Sequence, residues 1–187
     1  MTLVADEQTL VADEQTTRFH ELMQQTVGKW KGTRTYESVK TGKVTKVANV
    51  FEASLSFTDQ KIVEDLHNLP RGTFPYVLQI SWTSHNAETN KLLSEGTMLL
   101  GYHQGWLYRD RGYAIDKPVA SRVEMPSPDH MLIRTSYEGV TSLGDETVAY
   151  EENFRWAGDR RLRTVLAWDK QQELTLMGQY MEQKLAA

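Results

Sequence analysis

From residue 28 onward the chain reads as a succession of short β segments, and this feature limits the fold more than any other. Apolar and polar residues alternate within many of the segments, as they do in strands that bury one face. Turn-forming stretches separate them, such as TGK at 41–43, PSPD at 126–129 and AGD at 157–159. The predicted strands cover residues 29–38, 44–56, 75–84, 92–102, 105–112, 119–125, 131–137, 146–156, 160–168 and 173–182.

A helix is predicted before the first strand. It begins at Thr16 or Thr17, carries an apolar stripe from Phe19 to Val27, and ends at Gly28, where glycine is typical of a helix C-terminus. The preceding residues repeat one heptad without change, TLVADEQ at 2–8 and again at 9–15. Two heptads are too few for a coiled coil. We therefore expect residues 1–15 to be a flexible extension, poorly ordered or loosely helical, and residues 16–187 to form one domain.

A second, shorter helix interrupts the β region, capped by Thr58, running to about Asn68 and stopped by Pro70. Many short strands at regular spacing favour an antiparallel barrel or sandwich. One helix before the strands and one helical insert after the second strand fit a closed up-and-down barrel better than a Greek-key sandwich. A barrel of this many strands is wide enough to enclose a cavity for one small ligand.

Composition excludes several function classes. The chain has no cysteine, so it holds no disulfide, no thiolate-bound metal and no thiol nucleophile. Lys and Arg number 21 against 25 Asp and Glu, and this net charge of −4 argues against a nucleic-acid partner. No apolar run approaches the ~20 residues of a membrane helix, and no signal-peptide pattern opens the chain. We expect a cytoplasmic protein with no membrane partner.

The histidines and loops offer no sign of common catalytic sites. The five histidines make neither an H-x-H nor an H-E-x-x-H spacing, so no metal site is predicted. There is also no G-x-S-x-G elbow and no phosphate-cradling glycine loop. Five tryptophans and eight tyrosines fit a plain barrel core, but aromatic walls also suit a flat conjugated ligand. Arg134, on a strand of its own, is a further candidate for contact with an anion.

The stretch DRRLRTVLAWDK at 159–170 puts arginines on a strand that is apolar further along. Alternation places Arg161 and Arg163 on one face and Arg160 on the other, so whichever face is buried takes at least one arginine with it. Glu151 and Glu152 lie on the preceding strand of the same hairpin, within cross-strand reach of such arginines, and alternation puts one of the two glutamates on the inner face. Two interpretations remain open: a surface ladder of ion pairs, or a cavity wall in which these charges serve a ligand.

Four blocks share their order and spacing with one family. They are GKWKGTRT at 28–35, ISW at 80–82, YRDRGYAIDKPVASRVEM at 108–125 and EENFRWAGDRRLRT at 151–164. Together they resemble the S-type phycobiliprotein lyases, the CpcS/CpeS family, from about residue 19 to the end of the chain. GKW also resembles the G-x-W motif of lipocalins, in which the Trp closes the barrel bottom over a basic side chain from a later strand.

The resemblance implies a ten-stranded lipocalin-like barrel that binds an open-chain tetrapyrrole (phycocyanobilin or phycoerythrobilin) and delivers it to a cysteine of a phycobiliprotein alpha or beta subunit. The bilin is then a substrate, and no permanent cofactor is implied. The family's catalytic positions correspond here to Glu151, Arg161 and Arg163. We therefore predict that Arg161 and Arg163 point into the barrel and that Arg160 faces solvent. Its bilin-binding positions correspond to Arg34, Trp82, Arg109 and Tyr113.

The sequence departs from the family pattern in places: Val165 stands where a Ser is frequent, and ISWTSH replaces a frequent SWDGT. These departures leave the bilin and its acceptor subunit open. The family also implies a homodimer, or a heterodimer with a related lyase chain, in the cyanobacterial cytoplasm or a plastid stroma. Alternative functions are a non-catalytic bilin carrier or partner subunit, and a barrel that binds fatty acids or other amphiphiles. A haem-binding barrel is disfavoured, because no histidine lies clearly within a predicted strand.

Overall fold

A closed barrel of antiparallel strands accounts for most of the computed structural model, which describes residues 3–112, 116–137 and 147–186, with side chains from residue 14 onward. Each strand pairs with the next along the chain, and the first pairs with the last to close the barrel. Within the described residues the helices are α1 (Leu3–Thr26) and α2 (Gln60–Leu66), and the strands are β1 (Gly28–Ser38), β2 (Val44–Ser56), β3 (Val77–Asn86), β4 (Leu92–His103), β5 (Trp106–Arg109), β6 (Val119–Ser127), β7 (His130–Ser136), β8 (Thr147–Ala157), β9 (Arg160–Asp169) and β10 (Leu174–Lys184).

The predicted up-and-down barrel with its N-terminal helix and helical insert is confirmed, and every predicted strand is present. The bounds agree within a few residues, with the largest difference in β5, which ends at Arg109 instead of 112. The backbone N–H of Leu99 there donates to the carboxylate of Asp110 at 2.9 Å, and the N–H of Asp110 donates to the Leu99 carbonyl at 3.2 Å. A side-chain oxygen thus replaces a main-chain partner, which explains why regular pairing ends at this position.

Both helices begin elsewhere than predicted. α1 starts at Leu3, so neither Thr16 nor Thr17 is its N-cap. The duplicated heptads contain Ala, Leu, Glu and Gln but no Gly or Pro, and such residues continue a helix readily. α2 starts at Gln60, because the hydroxyl of Ser56 still accepts hydrogen bonds from the backbone N–H groups of Thr58 and Asp59 in a preceding turn. The flexibility expected of residues 1–15 stays a prediction.

The last turns of α1 cover one end of the barrel, which we call the closed end. The indole N–H of Trp30 donates to the carbonyl of Thr26 at 2.8 Å, and the ammonium of Lys184 donates to the carbonyl of Gln25 at 2.9 Å. Strands β1 and β10 therefore satisfy carbonyl groups that the end of a helix leaves without partners. The helix side chains buried against the barrel core are Phe19, Leu22 and Met23.

Candidate functional site

A cavity of about 440 Å³ occupies the inside of the barrel. This volume lies in the range of small-molecule sites, about 300–1,000 Å³. Most of the wall is apolar or aromatic, with Trp82 on β3 and Tyr150 on β8 among the rings that face the space. Basic side chains also enter it from strands on several sides of the barrel. The described arginines in the wall are Arg34, Arg109, Arg161 and Arg163.

Arg161 belongs to the closed end. Its Nε donates to a carboxylate oxygen of Glu182 at 2.7 Å, and its Nη2 lies 2.6 Å from the same oxygen. Its guanidinium carbon lies over four aromatic rings, with centroids at 5.0–5.8 Å. The first of these rings is Trp30, so the G-x-W motif closes the barrel over a basic side chain from a later strand, as predicted. The other three rings are Phe51, Phe154 and Trp156.

Glu152 is the acidic counterpart of two other arginines. Its side chain is fully buried, with Nη2 of Arg109 at 2.6 Å and Nη2 of Arg163 hydrogen-bonded to its second oxygen. Burial alone would raise the pKa of this carboxyl, but attraction to Arg163 and Arg109 and the hydrogen bonds they donate outweigh burial and hold its pKa below the ordinary value. Glu152 is therefore ionised at neutral pH.

Arg34 is the most loosely paired of the four. Its Nη2 lies 4.0 Å from Glu182, at the outer limit for an ion pair, and its side chain is 16% exposed. Its guanidinium carbon lies 4.9 Å from the centre of the Tyr180 ring. The buried Nε has no hydrogen-bond partner among the described residues. A buried donor in this condition costs free energy unless a ligand or water accepts from it.

The charges form two clusters, each with one carboxylate between two guanidiniums. One cluster joins Arg109, Glu152 and Arg163, and the other joins Arg161, Glu182 and Arg34. Counting the described groups alone, each cluster carries a net charge of +1. Excess positive charge inside a barrel is costly to desolvate. An anion bound in the cavity would offset that cost.

Most of the predicted site residues lie where the sequence placed them. Arg161 and Arg163 point inward and Arg160 is exposed, which confirms the predicted register of β9. Arg34, Trp82 and Arg109 also line the cavity. The remaining candidate, Tyr113, lies outside the described residues.

Glu151 is an exception, and its predicted place inside the barrel is wrong. It lies on the outer face of β8, where the Nε of Arg134 donates to its carboxylate at 3.0 Å. Arg134 is itself half exposed, so it is not an anion contact inside the barrel. The reason is strand alternation: Phe154 is buried in the core, and the residue two positions earlier on that face is Glu152. The outer pair is a surface ion pair, whereas the inner carboxylate, Glu152, is buried behind two arginines that line the cavity, Arg109 and Arg163.

The resemblance selected Glu151 over Glu152, and sequence reasoning did not single out Glu182 or Tyr180. Alternation gave a usable signal for Glu152, since it shares its strand face with Phe154 and Trp156. The other two lie on β10, where LTLMGQYMEQK mixes polar and apolar residues on both faces. Their part in the site depends on β10 pairing with β1 and β9 at once, and the local sequence does not reveal that pairing.

Among the residues that the structure describes, no group of His, Asp or Glu side chains is arranged to hold a metal ion. None of the helices in the described ranges is long and apolar enough to cross a bilayer.

Relatives of this chain share a consistent set of names. It is 27% identical over 171 residues to the CpcS 2 protein of Nostoc sp., named for phycocyanobilin lyase activity, with 88% of this chain and 89% of the relative covered. It is 28% identical over 156 residues to the chromophore lyase CpcS/CpeS 2 of Synechocystis sp., with 77% of each chain covered.

A solved structure shows the same fold. The S-type phycobiliprotein lyase of Guillardia theta superposes with a TM-score of 0.71 at 13% identity, over 90% of this chain and 93% of that one. The family model described as CpeS-like protein matches residues 18–185, which span α1 from its second half and every strand of the barrel. The chain therefore belongs to the CpeS-like protein family.

Proposed function

We propose that this protein is a bilin lyase, which binds an open-chain tetrapyrrole in the barrel and promotes its thioether attachment to a cysteine of a phycobiliprotein subunit. The observation that carries the proposal is the pair of cationic clusters in a largely apolar and aromatic cavity. A bilin offers the complementary features, two propionate groups on a long conjugated plane. The names of the family relatives support the same reaction.

Binding divides between charge and ring contacts. Arg34 and Arg163 each take one propionate, because a guanidinium pairs with a carboxylate through two parallel hydrogen bonds. Glu152, ionised between its two arginines, holds Arg109 and Arg163 in place beside the ligand. Trp82 packs on the tetrapyrrole plane from β3. Arg161 holds the closed end through its pair with Glu182 and lines the cavity beside the ligand.

The chemical step is an addition. The partner's thiol adds across the exocyclic double bond of ring A: a sulfur–carbon bond forms, the π bond breaks, and the thiol proton ends on the tetrapyrrole. No oxidant or reductant is needed. The nucleophile comes from the acceptor, because this chain has no cysteine. The barrel contributes orientation, holding one face of the double bond toward the incoming thiolate.

The first test is to titrate the purified protein with phycocyanobilin and phycoerythrobilin and record absorption. We expect a sharpened, red-shifted band for the bound bilin and no displacement by excess palmitate. Absence of any spectral change with either bilin would contradict the proposal, and displacement by palmitate would indicate an amphiphile carrier.

The second test adds separate apo-alpha and apo-beta phycobiliprotein subunits to the loaded protein. We expect a covalent adduct that survives denaturing electrophoresis, on one subunit type. Binding without transfer to either subunit would indicate a carrier. Transfer that appears only after a related lyase chain is added would indicate a heterodimeric enzyme.

A further inference from the structure

Three cavity residues lie side by side on three neighbouring strands. Arg34 on β1 is the register partner of Tyr180 on β10, and Tyr180 is the register partner of Arg163 on β9. All three side chains line the cavity. We call this row the upper rung. Its two arginines have one strand between them, so their Cα atoms are about 10 Å apart.

The Tyr180 ring lies between the arginines and contacts both. The guanidinium carbon of Arg34 is 4.9 Å from the ring centre, and that of Arg163 is 4.5 Å from it. Both distances are within cation–π range. The ring is 2% exposed, and its hydroxyl donates to the hydroxyl of Tyr36 at 2.8 Å. A β carbon at Gly178 would lie 3.1 Å from Tyr180 and 3.3 Å from Tyr36, so glycine there leaves room for both rings.

The ring attracts the arginines without neutralising them. An aromatic face holds a guanidinium by its quadrupole and accepts none of its conventional hydrogen bonds. A carboxylate at the same position would take those bonds and cancel a charge. Arg34 keeps a buried Nε without a hydrogen-bond partner among the described residues. Arg163 shares the single negative charge of Glu152 with Arg109.

We propose that Tyr180 is a positioning residue. It holds Arg34 and Arg163 apart so that each arginine pairs with one of two carboxylates on the same ligand molecule. The cavity then selects a dicarboxylate over a monocarboxylate or an ester of equal size. This inference rests on the proposed function, in which the dicarboxylate is a bilin.

The experiment compares phycocyanobilin with its dimethyl ester, which keeps the conjugated system and removes both charges. Each ligand is titrated by absorption into the wild type and into Y180L, Y180F and Y36F. Y180L removes the ring, Y180F keeps the ring and removes the hydroxyl, and Y36F breaks the same hydroxyl pair from the other side. Y36F is therefore the matched control for the hydrogen bond.

We expect the wild type to bind the free acid at least about tenfold more tightly than the diester, since each charge-assisted pair contributes about a factor of ten or more. Y180F and Y36F keep that preference. Y180L loses most of it, chiefly through weaker binding of the acid, while its affinity for the diester changes much less. If the Tyr180 ring served packing alone, Y180L would lower the affinities for the acid and the diester by similar factors.

Some outcomes would overturn the inference. They are an unchanged acid-to-diester preference in Y180L, a loss in Y180F as large as that in Y180L, or equal binding of acid and diester by the wild type. If Y180L does not show the far-UV spectrum of the folded barrel, Y180M takes its place in the same comparison. A wild type that binds neither ligand would contradict the proposed function itself, which separates the two failures.

Discussion

The closed end and the middle of the barrel use the same three strands for different purposes. Two residues below the upper rung, Gly32, Glu182 and Arg161 form a second row on β1, β10 and β9, the lower rung. Its central residue is a carboxylate, which takes two close contacts from the arginine. The central residue of the upper rung is an aromatic ring. A carboxylate between strands neutralises the charge of an arginine beside it, whereas an aromatic ring attracts the arginine and neutralises no charge.

The largest effect is expected at the lower rung, from Arg161→Ala. Among the described residues, this change leaves buried Glu182 with the distant Arg34 as its remaining ion-pair partner, and it empties the space among four aromatic rings. Removing one partner of a buried pair costs about 3–5 kcal/mol in the free energy of unfolding. Urea denaturation followed by tryptophan fluorescence measures it. Arg160→Ala, an exposed neighbour on the same strand, is the control and changes stability by less than about 0.5 kcal/mol. Equal stabilities of Arg161→Ala and Arg160→Ala would show that the lower rung does not have the structural role that distinguishes it from the upper rung.

Glu152→Gln is expected to lower the free energy of unfolding by about 2–3 kcal/mol at pH 7, since hydrogen bonds to charged groups are lost. The pKa of Glu152 is lower in the folded state than its ordinary value of 4.5, so its contribution to stability is present above that pH. It disappears as the pH falls below 4.5 and through the folded-state pKa. Denaturation of wild type and variant across this range measures the difference. A stability difference between wild type and variant that grows toward low pH would contradict a lowered pKa for Glu152.

Arg34→Ala is expected to weaken phycocyanobilin binding by about 10–100-fold, the loss of one charge-assisted carboxylate contact. Its stability changes by less than about 1 kcal/mol, because the cation–π contact with Tyr180 is modest and the ion pair with Glu182 is long. Absorption titration measures the change in bilin affinity, and urea denaturation measures the change in the free energy of unfolding. Loss of stability without loss of affinity would place Arg34 with the structural residues of the lower rung.

The smallest effect is expected from Glu151→Gln, the outward neighbour of Glu152. Its partner Arg134 is half exposed, and such surface pairs contribute about 0–1 kcal/mol. Bilin affinity and transfer rate are expected to equal those of the wild type. A transfer assay beside Glu152→Gln tests the assignment of the two faces of β8. If Glu151→Gln lost bilin transfer and Glu152→Gln kept it, the functional carboxylate would be Glu151 on the outer face of β8.

The barrel could be predicted because its signals are local. Turn residues such as those at 41–43 and 157–159 mark the hairpins, and alternation placed Arg161 and Arg163 on one face of β9, which the resemblance identified as the inner one. The same alternation, applied to Phe154 and Trp156, points to Glu152 on β8. The spacing of the family motif pointed instead to Glu151. The strand face is the better guide, because a shift of one residue along the strand moves the side chain to the opposite face.

The central residues of the two rungs could not be predicted in this way. Tyr180 and Glu182 acquire their neighbours only when β10 pairs with β1, which lies at the opposite end of the barrel sequence. Their own strand carries no periodicity that marks them, since its inner and outer faces both mix polar and apolar residues. The start of α1 was missed for a different reason, because Thr16 and Thr17 are good N-caps in isolation but lie within a helix here.

The hydroxyl pair of Tyr36 and Tyr180 joins residues 144 positions apart in the sequence. Contacts of such separation form late and slowly, because a long loop must close before they stabilise anything. Until β10 docks between β1 and β9, Arg34 and Arg163 stand on two unjoined edges of an open sheet. We therefore expect the absorption band of bound bilin to develop together with barrel closure, and stopped-flow refolding in the presence of bilin measures the two rates side by side.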